Sequence, residues 1–475
     1  MSQRTPVSSN GGIQFLLNNK LETIDGPPTS PLVDAVREHF HQKATKIGCR
    51  EGDCGACTLL VGEIVGDQVR YRSVTSCIYP IGNAHGKHIL SLEGLTPKEG
   101  LNPIQEAFAS HFATQCGFCT PGFLMSISAA VLSSDHLTHE DLRLSIDGNL
   151  CRCTGYHSIL RALKAFEKTW CGRLQELKSI LLPLSDDHVR TILRKIEPHT
   201  VDHPLARPVG GGTDLLVQSG YPFSGRSLPK GPLAQDVPNL STIEERVDGL
   251  LVGAGTKASD LYEHPALKRD FPAFHAFFPR IASTQIRNEA TLAGNLVNAS
   301  PIADFAIILL ALEATLEIRS EDGPERKLPL AHFFKAYKQI DLDEKEWIQS
   351  IWIPKPLGPM NIEKVSKREI LDIASVNTAA SFQIENGTVS RARISAGGVA
   401  PIPLMLQETA KAFEGQPLND QVLQRALRIA AEEISPISDI RGSANYKRQL
   451  LQHLIVAHTL VMAPDSVSQE VLWPS

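Results

Sequence analysis

Eight of the nine cysteines in this 475-residue chain lie in two compact sets within the first 153 residues, and they dictate what that part of the chain folds around. The first set is Cys49-x4-Cys54-x2-Cys57, in GCREGDCGACTLLVG, completed by Cys77. The second is Cys116-x2-Cys119 in TQCGFCTPG, completed by Cys151-x-Cys153 in GNLCRCTGY. Four thiolates per set is the complement of a tetrahedral-sulfur metal centre. The ninth cysteine, Cys171, follows Trp170 at the end of a helical run and reads as a plain buried thiol.

Two other uses of cysteine compete with this one. Disulfides belong to secreted proteins, and the start MSQRTPVSSNGG has no apolar signal region, so a cytoplasmic setting is expected. Zinc takes C-x2-C pairs as readily as iron does. The x4-x2 triplet favours iron for the first set, because it is the spacing of a plant-type [2Fe–2S] ferredoxin. Gly48, Gly52 and Gly55 interleave these cysteines and let the backbone wrap a cluster closely. On spacing alone, the second set stays open between iron and zinc. A net charge of -5 argues against nucleic acid or an anionic membrane as partner. The longest apolar stretch, residues 305–312, is too short to span a bilayer.

The length suggests about three domains, and patterning divides the chain further into a multidomain α+β protein. Residues 1–95 read as a β-grasp, ferredoxin-like domain: a hairpin turning at Asn18-Asn19, a helix opened by Ser30-Pro31, the cysteine loop, then strand, Gly66-Asp67 turn and strand. Residues 96–172 carry four amphipathic helical segments and read as a four-helix bundle. Its cysteine pairs sit at helix N-termini, where the dipole favours thiolates. Residues 173–200 read as a linker with room for one helix. Residues 201–355 and 356–475 read as two α+β domains, the last closing on the helix ANYKRQLLQHLIVAHTLV.

Three glycine-rich stretches fall within residues 201–355: RPVGGGTDLLV, LLVGAGTKASDL and QIRNEATLAGNLVNASPIAD. Glycine lets backbone amides approach phosphate oxygens, so three such stretches point to a nucleotide cofactor. The run Gly253-x-Gly255-x-x-Ala258 satisfies a dinucleotide fingerprint, but no second strand ending in an acidic residue follows. This domain is therefore expected not to be a Rossmann fold.

With these residues quoted, the chain resembles the iron–sulfur/FAD subunits of bacterial xanthine dehydrogenases, within the molybdenum hydroxylase family. KIGCREGDCGACTLLVG, TQCGFCTPGFLMS and GNLCRCTGYHSI are similar to its two [2Fe–2S] motifs. GGGTDL, GAGTKASDL and STQIRNEATLAGNLVNASPIADF are similar to its FAD signatures, and KVSKREILDIASVNTA to the opening of its C-terminal flavoprotein domain.

The resemblance implies iron–sulfur for both sets. Cys49, Cys54, Cys57 and Cys77 would hold the cluster nearer the flavin, and Cys116, Cys119, Cys151 and Cys153 the cluster nearer molybdenum. Gln115 matches a position that hydrogen-bonds the pterin of a molybdenum cofactor carried by a separate large subunit, in a two-plus-two heterotetramer. Val209, Gly210, Gly211, Gly212, Thr213, Asp214 and Leu215 would cradle the FAD pyrophosphate. Thr291, Gly294, Asn295, Asp304 and Lys364 would make further FAD contacts, and Ile348 an apolar one. Ile281 stands where eukaryotic members place a phenylalanine against FAD, so that stacking would be lost. NAD+ is the implied acceptor, with Lys367 and Arg368 candidates to meet it or else a solvated basic pair. No side chain is expected as acid–base catalyst, and His41, His85, His88 and His157 read as surface or packing residues. Two alternatives stand beside this expectation: another molybdenum hydroxylase, acting on an aldehyde or another N-heterocycle, and a zinc-stabilised protein without redox function.

Overall fold

The computed structural model describes residues 12–201, 206–219, 231–320, 323, 325–356 and 358–464. The N-terminal segment without a signal region falls, apart from Gly12, outside them. The chain divides into two compact units. One comprises Met1–Thr200, Gly211–Asp236 and Thr284–Glu289; the other comprises Val201–Gly210, Val237–Ser283 and Ala290–Ser475.

The first unit opens with a five-stranded sheet in the order β2-β1-β5-β3-β4. Its strands are β1 (Ile13–Leu17), β2 (Lys20–Ile24), β3 (Thr58–Val65), β4 (Gln68–Thr75) and β5 (His88–Leu90). Strands β1 and β5 run parallel and the remaining pairs antiparallel, the arrangement of a β-grasp sheet. The residues between β2 and β3 carry the first three cysteines. One face of the sheet buries Phe15, Leu59, Val61 and Ile89 against Leu32 and Val36.

The other face meets the helices Pro103–Ser110, Thr120–Ser133, His139–Ser145 and His157–Trp170. Leu16, Leu60, Tyr71 and Leu90 from the strands share one core with Phe108, Phe123, Ile127, Leu142 and Leu163. The helix starts follow from sequence. Asn102 caps Pro103–Ser110 and donates its own backbone amide to Gln105 Oε1 in return, and Thr138 caps His139–Ser145 in the same way with Asp141. Residues 173–200, expected to be a linker, instead form two helices, Leu174–Leu181 and Asp186–Leu193. Their Leu174, Leu177, Leu181, Val189 and Leu193 are buried in that same core, which is the reason the segment folds.

The second unit holds an antiparallel sheet, β6 (Ile243–Arg246), β7 (Gly249–Gly253), β8 (Thr315–Ser320), β9 (Arg326–Pro329) and β12 (Glu346–Pro354), ordered β6-β7-β12-β8-β9. A small hairpin of β10 (Phe334–Ala336) and β11 (Gln339–Ile340) interrupts it. The strand that carries the Gly253-x-Gly255 run pairs antiparallel on both sides, so it lacks the parallel neighbour of a Rossmann site. A second sheet of β13 (Met360–Val365), β14 (Val376–Glu385), β15 (Thr388–Gly397) and β16 (Leu404–Met405) is a meander. It packs with the helices Gln407–Phe413, Asp420–Glu433 and Ala444–Met462. The helix Asp304–Ala311, apolar after its first residue, contributes Phe305 to Ala311 to the unit's larger core. No described helix is long and apolar enough to cross a membrane.

Candidate electron-transfer site

All nine cysteines are free thiols, and the fold gathers eight of them as the two sets. In the first, Cys49 meets Cys54 and Cys77, and Cys57 meets Cys77. In the second, Cys116 and Cys153 lie 3.6 Å apart, and Cys119 meets Cys151. Among the described residues no group of three or more His, Cys, Asp or Glu is disposed as a single-ion site. Neighbouring thiols share protons. Hydrogen bonds from Cys54 and Cys77 hold the Cys49 thiol below the ordinary value, while the same bond with Cys49 raises Cys54. Cys57 is lowered chiefly by Cys77, which is itself raised by Cys49 and Cys57. Cys116 is lowered by the Phe118 amide and then by Cys153, which is raised in turn. Burial pushes Cys119 up to about 12, whereas the Thr154 hydroxyl and amide outweigh burial and lower Cys151. A donor set of four acidifiable thiols with no competing carboxylate or imidazole fits an iron–sulfur cluster, which binds thiolate and releases these protons.

The sets differ in setting. Cys57 and Cys77 are buried, and Leu216 packs on them together with Val33 and Ile78. Leu216 belongs to the helix Thr213–Ser219 that follows the glycine triplet, and a Cβ on Gly212 (φ +72°) would come within 2.5 Å of Pro80. Thr213, Asp214 and Leu215 open that helix. By contrast Cys116 and Cys153 are exposed, as is Gln115. Phe112 and Phe118, near Cys116 in sequence, are 80% and 47% exposed.

In the second unit, Gly210 and Gly294 flank Thr291: a Cβ on either would come within 2.8 or 2.9 Å of its Oγ1. That oxygen caps Leu292–Asn298 by accepting the Gly294 amide at 3.0 Å. Asn295 Oδ1 is buried without a partner among the described residues. A glycine-lined backbone with an open buried acceptor fits a cofactor that supplies phosphate and hydrogen-bond donors. Lys364 is buried and donates to Asp304 at 2.7 Å and to the Arg280 carbonyl at 2.9 Å. Asn377 donates to the other Asp304 oxygen at 2.6 Å. Ile281 and Ile348 lie in the apolar core, and Val209 and Gly211 are buried. Lys367 donates to the Ile440 carbonyl at 3.4 Å and half-exposed Arg368 faces Asp372, so both remain at the surface. His41 and His157 are exposed; His88 is buried between the Tyr71 hydroxyl and the Asn18 carbonyl.

Family models match along most of the chain. Residues 15–81 match a 2Fe-2S iron-sulfur cluster binding domain and residues 91–164 a [2Fe-2S] binding domain. Residues 180–356 match the FAD binding domain in molybdopterin dehydrogenase, and residues 363–460 the CO dehydrogenase flavoprotein C-terminal domain. This chain belongs to the molybdenum hydroxylase family. It carries that family's two iron–sulfur domains, FAD-binding domain and C-terminal flavoprotein domain, and is an electron-transfer module. Xanthine dehydrogenase 1 of Arabidopsis thaliana is 30% identical over 88% of this chain. Aldehyde oxidase 4 of Mus musculus is 27% identical over 94% of it. The chain spans 37% and 39% of the lengths of these relatives. A carbon monoxide dehydrogenase from Hydrogenophaga pseudoflava, which lacks the Mo-pyranopterin moiety of its cofactor, superimposes with a TM-score of 0.50 at 26% identity. That match covers 54% of this chain and 89% of the other.

Sequence reading passed over Asn149, Gln285 and Asn377. Asn149 stands two residues before Cys151 inside a quoted motif, and its position in GNLCRC was the available signal.

Proposed function

We propose that this chain is the electron-transfer subunit of a xanthine dehydrogenase. It takes electrons from a molybdenum centre on a large partner subunit and delivers them to NAD+, in support of the oxidation of hypoxanthine and xanthine to urate. When bound, the [2Fe–2S] clusters pass electrons singly, and FAD collects two and releases them as hydride. The observation that carries the reading is the contrast between the sets. Cys116 and Cys153 stand exposed beside Gln115, where a partner's cofactor can approach, while Cys57 and Cys77 are covered by the helix after the glycine triplet. Cys49, Cys54, Cys57 and Cys77 would hold the flavin-side cluster, and Cys116, Cys119, Cys151 and Cys153 the partner-side one. Val209 to Leu215, Thr291, Gly294 and Asn295 would bind FAD, and Lys364 would keep Asp304 oriented at its edge.

A second reading is favoured by the aldehyde oxidase and carbon monoxide dehydrogenase likenesses: the same module serving a molybdenum hydroxylase with another substrate. Co-expression with a large molybdenum-binding subunit separates the two. Hypoxanthine-dependent reduction of NAD+ is expected from the purified complex; turnover of aldehydes alone selects the second reading. In that complex Arg368→Ala is expected to raise the KM for NAD+ with little change in kcat. An unchanged KM removes Arg368 from the acceptor site.

A further inference from the structure

We propose that Asn149 is a positioning residue shared by both cysteine loops, fixing the separation of the two metal centres. This rests on the reading that each set carries an iron–sulfur cluster. Asn149 is 3% exposed. Its Nδ2 donates at 3.1 Å to the carbonyl of Gly55, which lies between Cys54 and Cys57. Its Oδ1 accepts from Gln285 Nε2 at 3.1 Å, which sets the amide with its nitrogen toward Gly55. Leu150, the next residue, donates its backbone amide to the Cys54 carbonyl at 3.0 Å. Two consecutive residues of the second loop therefore bind two carbonyls of the first, directly before the ligand Cys151.

Backbone space tells the same story independently. Gly55 has φ +64°, and a Cβ there would fall on the Gly148 carbonyl and within 2.5 Å of Asn149 Nδ2. Gly122, in the first turn of the helix that starts after Cys119, would place a Cβ on the Gly55 carbonyl and 3.0 Å from Asn149 Nδ2. Three stretches of backbone, carrying ligands of both sets, thus meet with no side chain between them except the Asn149 amide. Electron tunnelling weakens steeply with distance, so a tie between the loops themselves holds the transfer step constant more directly than the packing of each domain can. Without the amide, the Leu150–Cys54 hydrogen bond would still tie the loops, but Leu150 is 38% exposed.

The test uses the full chain reconstituted anaerobically with iron and sulfide, reduced with dithionite, and examined by pulsed electron paramagnetic resonance. Asn149→Ala is expected to retain the parent's iron content while the spin–spin coupling between the reduced clusters shifts and broadens. Asn149→Ser, which keeps a small polar side chain but cannot span to Gly55, is expected to show the same broadening. Parent-like coupling in both variants overturns the proposal. So does loss of iron from the second set alone, since the residue would then serve one loop only. A parent chain that takes up no iron overturns the underlying reading itself, and the proposal with it.

Discussion

At Gly55 a methyl group has nowhere to go. The left-handed backbone excludes most side chains, and the space a Cβ needs is filled by Gly148 and Asn149. Gly55→Ala is therefore expected to destabilise the first unit by about 3 kcal/mol, read as a lower urea midpoint at unchanged slope. The gathering of eight thiols into two sets was legible in the sequence because it is written in local spacing. The glycines were only partly so: their need to bend was visible, but not that Gly55 bends against the second cysteine loop. Asn149 left no signal beyond its place in GNLCRC, because its partner lies 94 residues away and a side-chain amide has no periodicity to betray it. The pairing of Lys364 with Asp304, 60 residues apart, was hidden for the same reason.

Helices of eight residues offer few periodic positions, and Pro183 and Pro198 punctuate residues 173–200 as a loop would. Tertiary burial rather than propensity makes the two helices there. Leu177 is fully buried, so Leu177→Ala is expected to cost about 2–5 kcal/mol in chemical denaturation, against little loss if the segment were a linker. The strands were clearer, since β3 and β4 are rich in β-branched residues and joined by a turn at Gly66-Asp67. What that pattern hid is a polar bridge within the sheet. His88 Nε2 lies 2.7 Å from the Asn18 carbonyl, which accepts only, so this nitrogen carries the proton and Nδ1 accepts from the Tyr71 hydroxyl at 2.8 Å. Burial holds its pKa down to about 4. The unfolded chain, with an ordinary histidine near 6.5, takes up a proton first as pH falls, so this contribution is intact above about 6.5 and is lost toward pH 4. The stability advantage of the parent over His88→Gln is expected to shrink by on the order of 3 kcal/mol between pH 7 and pH 4, measured by urea unfolding at each pH. A constant difference would remove His88 from the acid sensitivity.

For the whole molecule, the order of motifs along the chain foretold four kinds of domain, and the family models follow that order. The sequence did not reveal that the structure keeps only two compact units, or that residues 211–236 and 284–289, read as part of the nucleotide-binding segment, belong to the unit holding the cysteines. Within it Gln285 donates to Ser126 and Asn149, and Asn288 donates to the Ser73 carbonyl, contacts that no local pattern announces. On the proposed function, the two thiol sets are two distinct redox centres in one module. A reductive titration followed by electron paramagnetic resonance separates them, with Cys54→Ser and Cys119→Ser as partners to the parent. Two separable [2Fe–2S] signals are expected from the parent, with each variant losing a different one. A colourless protein containing zinc, or a single signal lost in both variants, would mean that the sets are not two redox centres.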